Sequence, residues 1–465
     1  MSDSPVIENP GPVYSNVLEA IGRTPLMEVS NLDTGKCRLF LKLENQNPGG
    51  SIKDRIGRTM IEEAERQKKL KPRGTIVEAT AGNTGLGLAL VAAQKGYRLI
   101  IVVPDKMAQE KIFHLKAMGA DVRLTRSDVG KGHPEYYQDL AERIAKEEDA
   151  FFVNQFANEA NPKAHETTTG PEIWEQMNHD MHAMVCGVGS GGTITGLKRF
   201  FRKADPNVEL VLADPEGSIL AHYVETGEVK NEVGSWLVEG IGEDFIPPVA
   251  NFEGMKKAIT VSDREAFITA REVLAKEGLL VGSSSGTLIA AALRYCREQT
   301  EPKRVVTFVC DSGNKYLTKM FNDYWMIDQG FLERPAHGDL RDLITRRHTE
   351  HATVIVRPTD TLLAAYGRMK LYDISQLPVL DDEDHVVGIV DEEDLLLTVF
   401  RNEDKFQEPV TRAMTSRLET IDAKSPMEAL LPIFAKGHVA IVTRDDTFEG
   451  LITRMDLLNH LRQRV

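Results

Sequence analysis

Short apolar runs that end in glycine recur along the first two thirds of the chain, and each leads into a helix-forming stretch. Leu39-Phe40-Leu41-Lys42-Leu43 runs into Pro48-Gly49-Gly50-Ser51, and a helix is expected to start near Lys53 with Ser51 as its cap. Gly74-Thr75-Ile76-Val77 leads into the polar loop Glu78-Ala79-Thr80-Ala81-Gly82-Asn83-Thr84-Gly85 and an Ala/Leu-rich helix from Leu86 to Lys95. Ala183-Met184-Val185 leads into Cys186-Gly187-Val188-Gly189-Ser190-Gly191-Gly192-Thr193, and Gly278-Leu279-Leu280-Val281 into Gly282-Ser283-Ser284-Ser285-Gly286-Thr287. Strands alternating with helices predict an α/β fold of two subdomains, each with a mostly parallel sheet, and a ligand site between them.

After Phe331 the pattern changes. Pro335-Ala336-His337-Gly338-Asp339 reads as a turn, and Arg341 to His351 as a charged connecting helix. The tail then repeats at roughly sixty residues. One copy carries Ala352–Val356, Leu377–Leu380 and Gly388–Leu395, and the other Leu418–Ile421, Val439–Val442 and Gly450–Leu457. The expected organisation is a domain over 1–335, a linker over 336–350 and a module over 351–465, with repeats at about 351–402 and 410–465.

Composition narrows the class. A chain of 465 residues is too long for one ordinary domain. With 42% hydrophobic and 27% charged residues it has the make-up of a folded globular protein. A net charge of −14 argues against wrapping nucleic acid and against an acidic membrane surface. The cysteines, Cys37, Cys186, Cys296 and Cys310, are dispersed without a C-x-x-C pair, which fits a reducing cytoplasm. No apolar run approaches membrane-spanning length, and the N-terminus is polar without a signal-peptide core. The histidines lack ligand spacing, so no metal site is expected.

Candidate chemistry starts at Lys53. A helix N-terminus carries partial positive charge, so a lysine in the first turn is expected to have a depressed pKa. A neutral amine can form a Schiff base with pyridoxal 5′-phosphate. Asn83 adds an amide able to donate to a phenolic ring oxygen, in a loop whose N–H groups and hydroxyls suit a carboxylate. The glycines at 187, 189 and 192 satisfy G-x-G-x-x-G, with Asp214 about twenty residues on, so a nicotinamide-dependent dehydrogenase competes for this segment. Four glycines within six residues, closed by Thr193, fit a compact phosphate cup equally well, and together with Lys53 and Asn83 they favour pyridoxal phosphate. A serine of the hydroxyl-rich turn Gly282–Thr287, placed facing the pyridine nitrogen, would make a milder electron sink than an Asp, which suits β-elimination more than transamination.

These segments in this order resemble the fold-type II pyridoxal-phosphate enzymes, the group of cysteine synthase, cystathionine β-synthase and the tryptophan synthase β chain. The likeness covers roughly Asn16 to Phe331 and includes Ile21-Gly22-Arg23-Thr24-Pro25-Leu26 and His165–Trp174. Asp214-Pro215-Glu216-Gly217-Ser218, Val238–Pro247 and Asp311–Lys319 resemble the cystathionine β-synthase branch in particular. The resemblance implies that Lys53 holds the cofactor, Asn83 bonds its 3′-oxygen, Gly189, Ser190, Gly191, Gly192 and Thr193 bind the phosphate, and Ser284 faces the ring nitrogen. It also implies that Thr80, Asn83, Thr84 and Gln155 hold the substrate carboxylate, with Gly240 to Gly242 bordering the mouth. Ala81 stands where the family has a serine, and Glu243 and Phe156 stand where many relatives have tyrosines. The lead before Asn16 has neither Cys nor His, so the haem of the animal enzymes is not expected.

The reaction implied is β-replacement, in which L-homocysteine displaces the hydroxyl of L-serine to give L-cystathionine, with hydrogen sulfide released when cysteine is the substrate. The alternatives are a cysteine synthase using O-acetylserine and sulfide, and a regulatory binding protein with an inactive core. The acidic run Glu239-Gly240-Ile241-Gly242-Glu243-Asp244 is expected to attract the ammonium group of homocysteine. The tail resembles a Bateman module of tandem CBS repeats. There Thr453 and Asp456 match the ribose-binding pair for S-adenosylmethionine or an adenine nucleotide, and the acidic pair Asp391 and Asp394 argues against a phosphorylated ligand in the first copy. The resemblance further implies a homodimer or higher homo-oligomer.

Overall fold

Residues that must be buried on both faces of a parallel sheet form near-continuous apolar runs, and the strands follow that rule. The computed structural model describes residues 12–462 except Ala81, Lys106, Ala108, Lys131, Asn231 and Lys256, so the Ala81 departure and the earliest part of the N-terminal lead lie outside the described residues. The chain divides into two compact units, Met1–Phe321 and Asn322–Val465.

The first unit contains β1 (Leu26–Glu28), β2 (Arg38–Leu43), β3 (Thr75–Ala79), β4 (Arg98–Pro104), β5 (Asp121–Thr125), β6 (Phe151–Phe152), β7 (Ala183–Gly187), β8 (Glu209–Pro215), β9 (Lys257–Val261) and β10 (Arg304–Val309). They form a 6-stranded sheet in the order β1-β2-β10-β7-β8-β9 and a 4-stranded sheet in the order β5-β4-β3-β6. Among the described residues, β1–β2 is the only antiparallel pair of these strands. In the smaller sheet Ile76, Ile101 and Val103 enter one core, while Val77, Ala79, Ile100 and Val102 face another, the two-residue alternation of a sheet covered on both sides. The α/β expectation with two mostly parallel sheets holds.

Parallel α/β sheets gather ligands outside the carboxyl ends of their strands. Here β2 leads to Lys53, β3 to Thr80 and Asn83, β7 to Gly189, and β10 to Asp311. The helices Lys53–Arg66 and Asn83–Lys95 pack closely because Gly57 and Gly87 leave no side chain at their crossing: a Cβ on Gly57 would lie 2.7 Å from the Gly87 carbonyl carbon. The two helix N-termini are thereby held together.

The second unit contains β11 (Gln376–Leu380), β12 (Val386–Asp391), β13 (Thr420–Asp422), β14 (Ala440–Arg444) and β15 (Thr447–Ile452). The first repeat buries Leu362, Ala365 and Met369 of one helix against Leu377, Val379 and Val390, and Leu380 meets Ile441 and Phe448 of the second repeat. The expected connecting helix over 341–351 is instead two short 3₁₀ turns, Leu340–Leu343 and His348–Glu350. The segment 336–350 does not act as a free linker, because Leu340, Leu343 and Ile344 enter the core built by Ile421, Leu430, Val442 and Ile452. Ile344 then turns extended (φ −73°, ψ 111°), which ends the first turn. Among the described residues no helix is long and apolar enough to cross a membrane. The turn residues Asp381, half-buried, and Glu383 and His385, both exposed, bring potential metal-binding atoms within 4.8 Å of one another. The turn itself accounts for that grouping, since Asp381 Oδ1 accepts from the Glu383 and His385 N–H groups.

Candidate active site

Lys53 is the first residue of its helix, and its N–H donates to Ser51 Oγ at 3.3 Å, although Ile52 rather than Ser51 occupies the cap position. The start of this helix is pinned by Arg55, whose guanidinium donates to Glu44 Oε2 and to Glu172 Oε2, both at 2.7 Å. Burial is the leading cause that lowers the Lys53 amine pKa, opposed by the nearby Cys310, Asp311 and Glu243. The depressed amine expected from the helix position is therefore present, but desolvation is its main source.

Each group near Lys53 leads to another expected site residue. Cys310, its thiol pushed up to about 12 by burial, lies beside both Lys53 and the Ser284 hydroxyl. Asp311 Oδ2 accepts from Asn83 Nδ2 at 2.7 Å. The positive charge of Lys53 also acts on buried His165, whose pKa is held well below its usual value mainly by burial. His165 Nε2 is 3.2 Å from Thr193 Oγ1, and its Nδ1 is 2.9 Å from Thr169 Oγ1. Lys53 thus sits among the neighbours of Ser284, Asn83 and Thr193.

The segment Gly189 to Thr193 bends into the N-terminus of the helix Gly192–Ala204, where first-turn N–H groups lack intrahelical partners. Gly191 has φ +86°, and a Cβ there would fall 2.5 Å from Ala250 Cβ. A Cβ on Gly189 would fall 2.5 Å from the Gly240 carbonyl oxygen, so the cup and the mouth loop are in backbone contact. Gly242 N–H donates to Val188 O at 2.8 Å, fixing that loop. Ser190 Oγ accepts from the buried Asn161 amide at 2.9 Å, while Asn161 Oδ1 has no protein partner.

On the other side, Thr80 Oγ1 accepts from Gly82 N–H at 3.3 Å, and Thr84 Oγ1 donates to Gln155 Oε1 at 2.7 Å. Glu78 of β3 ties that strand to the turn after β6: it accepts from Ala79 and Gln155 N–H groups, and its burial raises the carboxyl pKa to about 8. A glycine cup at a helix N-terminus, a buried lysine amine, an amide and a hydroxyl around one space fit the phosphate, aldehyde, ring oxygen and ring nitrogen of pyridoxal phosphate.

Sequence reasoning assigned no role to Lys111, Asp311, Lys315, Tyr316 or His165. Asp311 lies two residues beyond the buried end of β10. One expectation requires correction. Glu239 is not a free acceptor for a substrate ammonium, because it is paired with Lys111 at 2.6 Å and Lys319 at 2.7 Å. The loop still contributes Glu243, which acts on the Lys53 amine.

In the second unit, Thr453 N–H and Oγ1 donate to Asp456 Oδ2 at 2.7 and 2.6 Å, and Asp456 N–H donates back to Thr453 Oγ1 at 3.2 Å. The Thr345 hydroxyl bonds the other Asp456 oxygen, a contact with no sequence signal. Asp391 and Asp394 form the corresponding capping box of the first repeat, with Asp394 N–H donating to Asp391 Oδ1 at 2.8 Å. Burial and then the Asp391 charge raise the Asp394 pKa.

Residues 17–311 match the family described as pyridoxal-phosphate dependent enzyme, and residues 340–401 and 410–463 match the CBS domain. Cystathionine beta-synthase of Apis mellifera is 35% identical, with 97% of this chain and 91% of that protein covered. The enzyme of the same name from Saccharomyces cerevisiae is 33% identical, with coverages of 96% and 97%. Among solved structures, a hydrogen sulfide-producing enzyme from Fusobacterium nucleatum is 37% identical with a TM-score of 0.61, covering 66% of this chain and 100% of its own. An O-acetylserine dependent cystathionine beta-synthase from Helicobacter pylori is also 37% identical with a TM-score of 0.61, covering 66% of this chain and 99% of its own.

Proposed function

The chain belongs to the cystathionine beta-synthases, pyridoxal-phosphate dependent lyases with CBS domains, and from that membership we propose that its site joins L-serine to L-homocysteine. The observation that carries the reading is the position of Lys53 among Cys310, Asp311 and His165, the neighbours of Ser284, Asn83 and Thr193. Pyridoxal phosphate, when bound, withdraws electrons from the bonds at the α-carbon of an amino acid. Lys53 would hold it through its amine, Gly189 to Thr193 would bind its phosphate, Asn83 would donate to its ring oxygen, and Ser284 would bond its ring nitrogen.

The protein groups then divide the work. Thr80, Asn83, Thr84 and Gln155 hold the serine carboxylate, which orients the α-hydrogen toward Lys53. Lys53 Nζ, its pKa lowered mainly by burial, takes that proton and later returns it. Gly240 and Gly242 border the entrance through which the thiol arrives. In balance, the serine Cβ–O bond breaks, a Cβ–S bond to homocysteine forms, and the thiol proton leaves with the hydroxyl as water.

The O-acetylserine dependent Helicobacter pylori relative supports O-acetylserine as a second donor, and the hydrogen sulfide-producing Fusobacterium nucleatum relative supports hydrogen sulfide release as a side activity. Product analysis with serine or O-acetylserine, each paired with homocysteine or sulfide, tests the assignment. Cystathionine from serine and homocysteine supports it, and cysteine from O-acetylserine and sulfide as the sole product would transfer the protein to the cysteine synthases.

For the second unit, the reading is an adenosyl ligand whose ribose meets Thr453 and Asp456. Free Cys37, Cys186, Cys296 and Cys310 suit a cytoplasmic setting. Exposed Leu396, Leu397 and Phe400 in one repeat and Leu458 and Leu461 in the other support a homo-oligomer, testable by light scattering.

A further inference from the structure

The two ends of the Asn83 amide are met by residues that can each play only one part. Asn83 Nδ2 donates to Asp311 Oδ2 at 2.7 Å, and Asn83 Oδ1 accepts from Lys315 Nζ at 2.8 Å. A carboxylate only accepts and an ammonium group only donates. Exchanging the amide ends would set a donor against Lys315 and an acceptor against Asp311.

Neither partner is free to follow such a flip. Asp311 is fully buried, and its Oδ2 also accepts from the Tyr316 hydroxyl at 2.8 Å. Its Oδ1 faces Gly282, where a Cβ would lie only 1.8 Å away. Lys315 is 7% exposed, and its amine also reaches Gly50 O at 3.2 Å and Gly49 O at 3.4 Å. With Asn83 Oδ1, these give its three protons three acceptors within the chain, which makes it a tie. Those carbonyls belong to the turn before Lys53, so one side chain links the Lys53 turn, after β2, to the Asn83 loop, after β3 in the other sheet.

We propose that Asp311 and Lys315 are positioning residues that fix the orientation of the Asn83 amide, and with it the donor that Asn83 presents to the cofactor ring oxygen. The inference rests on the proposed contact between Asn83 and that oxygen. With the clamp in place, the amide nitrogen is the only end available to an anionic oxygen. Without it, the flipped amide turns its carbonyl toward that oxygen and repels it.

The test is a visible absorption spectrum and a cofactor titration of Lys315→Met, made in the full-length protein and again in an Asn83→Ala background. The expected result is a shifted visible band and about tenfold weaker cofactor binding in the Asn83 protein, the scale of one lost charge-assisted hydrogen bond. In the Asn83→Ala background, Lys315→Met should add no further shift. Lys315→Leu, which likewise has no donor, carries the same comparison if the methionine variant fails to fold, and Lys315→Arg should restore part of the wild-type spectrum. An unshifted band, or an equal added shift without Asn83, overturns the clamp. A wild-type protein with no visible band at saturating cofactor overturns the underlying assignment instead.

Discussion

Gly87 meets the backbone of Lys53 directly: a Cβ at Gly87 would lie 2.6 Å from the Lys53 carbonyl oxygen. The crossing of the helices that begin at Lys53 and Asn83 is therefore set by the absence of two side chains, at Gly57 and Gly87. Gly87→Ala should force the helices apart, costing about 1–3 kcal/mol of stability. It should also reduce turnover more than a surface substitution of equal cost. Chemical denaturation together with kcat measures both, and unchanged values would separate the crossing from the site.

Asp54, next to Lys53, offers a pH test. Burial pushes its carboxyl up to about 7, while Oδ2 accepts from Gly49 N–H at 2.5 Å and Oδ1 has no protein partner. With a folded pKa above the unfolded one, the folded state holds the proton that the unfolded chain releases. The stability contribution is complete below about pH 4 and is lost as pH rises to about 7. Asp54→Asn, which retains an acceptor for Gly49, should flatten this loss. The measurement is Tm across that range for both proteins, and parallel curves would count against the raised pKa.

Much of the site was legible because its glycines had to follow apolar strands. The turn before Lys53, the Asn83 loop and the Gly189–Thr193 segment all announced themselves that way. Asp311 and Lys315 fall in the Asp311–Lys319 segment that carries the family resemblance, yet no local pattern signals the partners of these two side chains or of Lys111. The Asn83–Asp311 bond joins positions 228 residues apart, and only the folded sheets bring them together. The tail shows the converse error. Its charged residues outweighed Leu340, Leu343 and Ile344 in the reading, yet those three side chains decide where the segment goes.

In the second unit, Asp456 both closes a capping box with Thr453 and bonds Thr345. Asp456→Asn keeps one oxygen acceptor for the cap while removing the charge that would bind ribose hydroxyls. It should weaken adenosyl-ligand binding by about ten- to a hundredfold with little change in Tm. Calorimetry with S-adenosylmethionine, AMP and ATP reads the first quantity, and equal affinities for wild type and variant would remove Asp456 from the site.

Lys53 is the residue on which the proposed chemistry depends. Lys53→Ala keeps the glycine cup, Asn83 and Ser284, so the variant should fold and still bind cofactor noncovalently. Cystathionine formation from serine and homocysteine, measured for wild type and Lys53→Ala with saturating cofactor, is the direct test. The expected result is product from the wild type and none above background from the variant. Wild-type rates in a correctly folded Lys53→Ala protein would contradict the assignment.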